Sequence, residues 1–260
     1  RPFAESNAFI RYGRDDAITA RLSLACDARM IWGGDETVRH IRALPLPAHG
    51  VEVAFVDRYS FCILDAAAVA ALDHKELGRL AGNFYNDAYL MDQNACSSPH
   101  LVVWLGASED GGQERFWQAV GEVVRRKYGL ESVYAVDKYT HLLETAAARD
   151  DITHIETIRN DVYRIGLAGL GPETENLRGR FGTFYEYRTE TLDDIKQAVS
   201  RKCQTLTYFG VEPAMLSEFV VANRLAGVDR IVPVGRALDM DTIWDGMDVC
   251  KTLSRIVDVR

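Results

Sequence analysis

Apolar residues along this chain fall into two rhythms, a three- and four-residue spacing and short dense runs, and the two alternate from end to end. Leu77, Leu80, Ala81, Phe84, Ala88 and Met91 share one face at helical spacing, which predicts an amphipathic helix over residues 76–91. The polar, small-residue stretch Asp92-Gln93-Asn94-Ala95-Cys96-Ser97-Ser98-Pro99 follows it. Then comes the apolar run Leu101-Val102-Val103-Trp104-Leu105, so a loop closed by proline feeds a buried strand. Helix, turn, cysteine and strand, in that order, make a mount on which a substrate can reach a thiol.

Upstream, Ile18, Leu22 and Ala25 predict a helix over 15–27, and Ala28-Arg29-Met30-Ile31-Trp32 a short strand ending at Gly33-Gly34. Asp35 is placed to cap a helix over 36–44, whose face is Val38, Ile41 and Leu44 and whose end is marked by Pro45 and Pro47. A helix that begins after two glycines is either a phosphate seat or simply a tight turn. Residues 51–56 and 60–64, dense in β-branched and aromatic side chains, predict two strands around a polar turn at Asp57-Arg58-Tyr59. Further helices are expected at 113–126 and 137–149, a strand pair over 151–166, and an exposed loop at 169–180. A strand over 181–187, a helix from Thr191, a strand over 204–210, a helix over 214–225 and a strand over 229–235 complete a second layer. The tail reads as a helix plus a strand. Strands alternating with helices imply an α/β fold with a parallel sheet, and the change of pattern places a domain boundary between 1–65 and 66–260.

Composition narrows the function. The formal charge of -8 comes from interspersed acidic and basic residues, so no basic face exists to track a phosphate backbone, and no nucleic acid is expected as partner. Five cysteines, Cys26, Cys62, Cys96, Cys203 and Cys250, are widely spread without a CxxC or a Cys/His cluster. That usage points to no metal and to a reducing compartment. No apolar run is long enough for a membrane span and no signal peptide opens the chain, so a cytoplasmic protein is expected. The opening Arg1-Pro2-Phe3 does not look like an initiator region, and an incomplete chain is expected.

Four segments carry a resemblance: Ile31-Trp32-Gly33-Gly34-Asp35-Glu36-Thr37-Val38, Phe55-Val56-Asp57-Arg58-Tyr59-Ser60, Gln93-Asn94-Ala95-Cys96 and Arg180-Phe181-Gly182. In this order they resemble the aldehyde dehydrogenase superfamily. Residues 204–210 and 225–235, with Trp244-Asp245-Gly246, are similar to its long-chain acyl-CoA reductase branch, the bacterial luminescence fatty acid reductase type. The resemblance implies an aldehyde-dehydrogenase-like fold lacking its N-terminal part. Residues 1–65 would be the C-terminal part of a Rossmann-type NAD(P)-binding domain, and 66–260 an α/β catalytic domain bearing the cysteine. It implies Cys96 as the nucleophile, Gly33, Gly34 and Asp57 at the cofactor, and Gln93 and Asn94 positioning substrate. The cofactor would be NADPH, with coenzyme A as co-product and a fatty acyl-CoA or acyl-protein as donor. A homo-oligomer and an acyl-protein synthetase partner belong to the same resemblance.

Two departures from the family pattern matter. Where the aldehyde-oxidising members carry the glutamate that activates water, this chain has Phe55, and an aromatic ring cannot act as a general base. That favours acyl transfer and reduction over hydrolysis of a Cys96 thioester. The glutamate that holds the nicotinamide ribose in many relatives aligns with Gly179. Alternative readings stay open: a CoA-acylating aldehyde dehydrogenase of shorter substrates, or a non-catalytic remnant or assembly subunit. Cys26, Cys62, Cys203 and Cys250 are expected in the core, and His100 as a structural histidine. Asp92 and Gln93 either position substrate or cap the helix, and Gln93 or Asn94 alternatively orients the loop through its backbone. Phe184, Tyr185 and Tyr187 are expected to line a long-chain pocket, to pack in the core or to form a subunit contact. Trp244-Asp245-Gly246 shapes an acyl tunnel or simply packs and turns.

Overall fold

The computed structural model describes residues 5–107 and 111–260, so Arg1-Pro2-Phe3 lies outside the described residues. The chain divides into two compact units, one running through Asp57 and including Asp248–Arg260, the other Arg58–Met247. The smaller unit holds helix α1 (Asp16–Leu24), strand β1 (Ala28–Trp32), helix α2 (Asp35–Arg42) and strand β2 (Val51–Phe55). β1 and β2 pair in parallel, from Ala28 opposite Val51 to Trp32 opposite Phe55, as a strand-helix-strand crossover requires. Ile31, Val38, Val53 and Phe55 bury its apolar side.

The unit boundary falls at Asp57/Arg58, eight residues before the expected one at 65, because strand β3 (Tyr59–Asp65) belongs to the sheet of the larger unit. Asp57-Arg58 therefore connects two sheets and does not turn a hairpin. With β3, the strands β4 (Pro99–Leu105), β5 (Ile152–Ile158), β6 (Val162–Leu167), β7 (Thr183–Thr189), β8 (Cys203–Phe209) and β9 (Arg230–Pro233) form a seven-stranded sheet. Its order is β5-β6-β7-β4-β3-β8-β9, parallel throughout except for β5, which runs antiparallel to β6 at one edge. β3 and β4 are buried along their length, as the continuous apolar runs predict for strands covered on both faces.

Alternate residues of β3 and β4 feed two cores. Cys62, Leu64, Val102 and Trp104 join Val69 of helix α3 (Ala66–Ala70), Phe84 of helix α4 (His74–Ala88) and Phe116 and Trp117 of helix α5 (Gly112–Lys127). Phe61, Ile63, Leu101 and Val103 join Leu142 of helix α6 (Ser132–Ala148) and Leu216 and Phe219 of helix α7 (Pro213–Ala222). α4 begins at a capping box between Asp73 and Glu76 and ends at Ala88, a turn earlier than its apolar spacing predicts. Met91 is exposed, and the chain has already left the helix for a left-handed turn at Asp92 and Gln93. The expected helix after Thr191 is a 3-10 segment, Leu192–Ala198, with the Thr191 side chain accepting from Asp193. The tail holds two two-residue strands, Ile243–Trp244 and Met247–Asp248, and a short helix, Val249–Thr252; no strand follows that helix among the described residues. No helix among the described residues is long and apolar enough to cross a membrane.

One carboxylate lies in the middle of this sheet. Trp104 Nε1, Trp117 Nε1 and Gln113 Nε2 donate to Glu186 Oε1 at 2.7, 2.6 and 2.8 Å, and Arg164 Nε donates to Oε2 at 2.8 Å. Arg164 also pairs with Glu114 and Glu156 at 2.6 Å. Burial opposes ionisation of Glu186, but the His154 hydrogen bond, the Arg164 charge and the indole donors outweigh it and hold the carboxyl down to about 2. A buried ion this well satisfied stabilises the fold only as a complete set. Glu186→Gln is expected to cost about 3 kcal/mol in urea melts, since Arg164 and the indoles lose their charged acceptor. The folded value lies below the ordinary 4.5, so this stabilisation is complete above pH 4.5 and is lost as pH falls toward 2. Melts across that range should show the acid loss in the wild type and a flatter profile in Glu186→Gln.

Candidate active site

Because β3, β4, β7, β8 and β9 run the same way, Tyr59, Pro99, Thr183, Cys203 and Arg230 line up along one edge of the sheet. The loop between α4 and β4 arrives at that edge carrying Cys96. Cys96 is half-buried, whereas Cys62 and Cys203 are buried and burial pushes both thiols up, that of Cys203 to about 11. Cys26 and Cys250, expected in the core, are exposed: one follows the last turn of α1 and the other lies in the short tail helix. Cys96 is thus a cysteine on a loop of the larger unit that is neither sealed in the core nor fully exposed.

The loop has few ladder partners, and Gln93 replaces them. Asp92 and Gln93 both take left-handed backbone angles, φ 52° and 62°, uncommon for side chains of their size, and the second turns the carboxamide inward. Gln93 is fully buried. Its Nε2 donates to the carbonyls of Pro99 and Thr183 at 3.0 and 2.9 Å, and its Oε1 accepts from the N–H groups of Gly182 and Thr183 at 3.1 and 3.2 Å. All four of its hydrogen-bonding positions are used on backbone. Of the readings open for Gln93, orientation of the loop is the one this geometry supports, since nothing of the amide is left to meet a substrate. Ser98 Oγ adds a bond to the carbonyl of Asp87 at 2.7 Å. Asn94 is exposed, and its Nδ2 donates to the carbonyl of Asp92 at 3.1 Å. Asp92 accepts the Tyr128 hydroxyl at 2.5 Å.

His100, one strand residue beyond Pro99, is buried against Tyr59 with ring centroids 5.5 Å apart. Burial, reinforced by the charge of Arg178, lowers it to about 3, so at neutral pH the ring is uncharged and gives no proton to the site. The segment that answers Gln93 is equally constrained. A Cβ on Gly179 would stand 1.7 Å from the carbonyl oxygen of Thr183, so the position cannot carry a side chain such as glutamate. Gly182 has φ 83° and touches the Tyr89 hydroxyl in the same way. Next to this segment a cavity of about 360 Å³ is lined by Lys138, His141, Arg178, Arg180 and Phe181, among others.

Gly33, Gly34 and Asp57 are brought together at the C-terminal ends of β1 and β2, where parallel strands place ligands. Gly33 N–H continues the ladder to the carbonyl of Phe55 at 3.1 Å. Gly34, not Asp35, is the N-cap of α2, and the space around it is open. Asp35 Oδ1 accepts the backbone N–H of Asp57 at 3.2 Å. Asp35 and Glu36 lay negative charge on the helix N-terminus, which opposes a phosphate there. Phe55 is buried against Trp32, with centroids 5.1 Å apart, and supplies no base.

The aromatic strand is core. Phe184 is fully buried against Phe84 and Trp117, and Tyr185 is buried with its hydroxyl near Thr145. The apolar void beneath Tyr59, Leu101 and Val103 measures about 10 Å³, room for a water rather than an acyl chain. Trp244 is buried under the guanidinium of Arg230 at 4.4 Å. Sequence reasoning missed Thr205 and the part played by Ser60, because a buried hydroxyl in an apolar strand carries no local signal.

Comparison with known proteins agrees with this architecture. Residues 8–130 match the family model described as Acyl-CoA reductase (LuxC). Among solved structures, a mutant proline utilization A from Bradyrhizobium japonicum superposes with a TM-score of 0.57 at 16% identity, covering 84% of this chain and 23% of that one. An NAD-dependent benzaldehyde dehydrogenase from Corynebacterium glutamicum gives 0.52 at 11% identity, covering 85% and 48%. Aldehyde dehydrogenase 21 from Physcomitrella patens, in complex with the reaction product succinate, gives 0.55 at 13% identity, covering 85% and 47%. The chain spans a quarter to a half of the length of these structures. No curated protein matches it by sequence. The fold is that of the aldehyde dehydrogenases.

The close approach at Gly179 makes a sharp prediction. Gly179→Ala is expected to cost about 3 kcal/mol or more by overpacking against backbone, while Gly169→Ala, with open space around it, stays within about 0.5 kcal/mol of wild type in thermal melts.

Proposed function

We propose that this chain, aldehyde-dehydrogenase-like in fold and matched to the acyl-CoA reductases over residues 8–130, reduces an activated fatty acyl group to an aldehyde through Cys96. The observation that carries the reading is the half-buried Cys96 on a loop whose neighbours are clamped on both sides. The Cys96 thiolate attacks the carbonyl of a fatty acyl-CoA or acyl-protein, and the tetrahedral oxyanion collapses, expelling the donor thiolate and leaving an acyl group on sulfur. The backbone N–H of Cys96 is the nearest candidate to stabilise that oxyanion. NADPH, when bound, would supply hydride to the acyl carbon, with Gly33, Gly34 and Asp57 as the residues of this chain that would meet it; the carbon–sulfur bond then breaks, releasing the aldehyde and returning Cys96 as thiolate.

What the chain withholds is as important as what it supplies. By the resemblance Phe55 takes the position of a water-activating glutamate, and burial, which lowers His100 to about 3, leaves that imidazole too weak a base to take a proton from water, so neither promotes hydrolysis of the acyl group. Retention of the acyl group favours reduction or transfer to a thiol. The acidic first turn of α2 and the closed space at Gly179 favour a second reading, a non-catalytic relative that has lost tight cofactor binding. A homo-oligomer, and an acyl-protein synthetase delivering the acyl group, are extensions of the first reading.

Incubation with tetradecanoyl-CoA followed by digestion should place the acyl mass on the Cys96 peptide. A Cys96→Ser chain should lose that label, and equal labelling of both would end the assignment. NADPH should quench the fluorescence of Trp32, exposed beside Gly33; no quenching at any concentration points to the second reading.

A further inference from the structure

Trp244-Asp245-Gly246 has no task in the reaction outlined above, and the hydrogen bonds at the sheet edge give it one. Ser60 lies in β3 between β4 and β8 and is fully buried. The ladder slips by one residue on both sides of it. Ser60 pairs with Pro99 but Phe61 with Leu101, and Tyr59 pairs with Cys203 but Phe61 with Leu206. Irregularities of this kind interrupt the regular backbone pairing and re-aim nearby groups. The Ser60 hydroxyl bridges the gap, donating to the carbonyl of Cys96 at 2.7 Å and accepting the N–H of Thr205 at 3.1 Å. Its single proton is committed to Cys96.

The chain of bonds continues outward. Thr205 Oγ1 donates to Gln204 Oε1 at 3.2 Å and accepts from Arg230 at 3.3 Å, and Gln204 Nε2 donates to Asp245 Oδ1. Arg230 covers the Trp244 indole, so the turn grips the irregular part of β8 through both of its larger side chains. Asp245 and Gly246, at φ 48° and 73°, make that turn tight. Ser60, Gln204 and Thr205 are at most 1% exposed, so water cannot readily replace a bond removed from this series.

We propose that Ser60 is a positioning residue for Cys96, and that the Trp244-Asp245-Gly246 turn is the outer anchor of the same hydrogen-bond chain. This rests on the reading of Cys96 as the nucleophile. Holding the Cys96 carbonyl fixes the direction of its side chain, and attack on an acyl carbonyl depends on placement to within about an ångström.

Two measurements on the full chain test it together: hydrogen exchange of the peptide spanning residues 92–99, and acylation of Cys96 by tetradecanoyl-CoA. In Ser60→Ala, exchange should quicken about tenfold and acylation at saturating thioester slow about tenfold, with half-saturation moving less than about twofold. Ser60→Thr, which keeps the hydroxyl, should recover most of both, and Asp245→Ala should shift both about threefold in the same direction. Unchanged exchange in Ser60→Ala overturns the clamp. Faster exchange with unchanged acylation overturns its role in placing the thiol, and a Ser60→Thr chain as slow as Ser60→Ala reduces the effect to packing. A wild-type chain that takes no acyl group on Cys96 overturns the nucleophile reading and the positioning role with it. That outcome is recognisable because the exchange difference persists.

Discussion

A loop that brings a thiol to the edge of a sheet must leave the sheet's own hydrogen bonding, and something has to take up the backbone groups it strands in a dry interior. Here that falls to the Gln93 carboxamide, with two donors on the carbonyls of Pro99 and Thr183 and its oxygen on the N–H groups of Gly182 and Thr183. In a low-dielectric setting each bond is strong because its absence would not be made good by water. Much else at this edge follows from that one side chain. The left-handed turn at Asp92 and Gln93 exists to send the amide inward. The glycines at 179 and 182 exist because the answering segment passes so close to Thr183 and Tyr89 that a Cβ has no room.

Electrostatics treat two buried groups of the larger unit in opposite ways. Glu186 keeps its charge deep in the sheet because two indoles, an amide and Arg164 surround it, and its carboxyl is held low in spite of burial. His100 has no such set. Buried against Tyr59 and near Arg178, it stays uncharged, so no imidazolium adjoins the start of β4. On the proposed reading of Cys96, neither the aromatic Phe55 nor the buried His100 has the basicity to activate water.

The smaller unit has a parallel strand pair with a glycine turn at its C-terminal end, and the turn is closed by the bond from Asp57 N–H to Asp35. The same residues that give the turn its geometry also give it negative charge.

Much of this was legible in the residues. Helical and strand spacings located α4, β4, β3 and β8 within a few positions, because periodicity records which side of an element meets the core, and that is a local property. The polar, small-residue stretch closed by Pro99 marked the cysteine loop, and the resemblance of Gln93-Asn94-Ala95-Cys96 singled out its thiol. Other features were decided only in three dimensions. Where β3 pairs, and so where the units divide, depends on competition among strands far apart in sequence. The early end of α4, the exposure of Cys26 and Cys250, and the core packing of Phe184 depend on which neighbours cover them. The bonds from Ser60 to Cys96 and from Gln204 to Asp245 span 36 and 41 residues, and no spacing rule reaches so far. Sequence determined which segments fold; only the assembled sheet determined which of their polar groups, shut away from water, had to find one another.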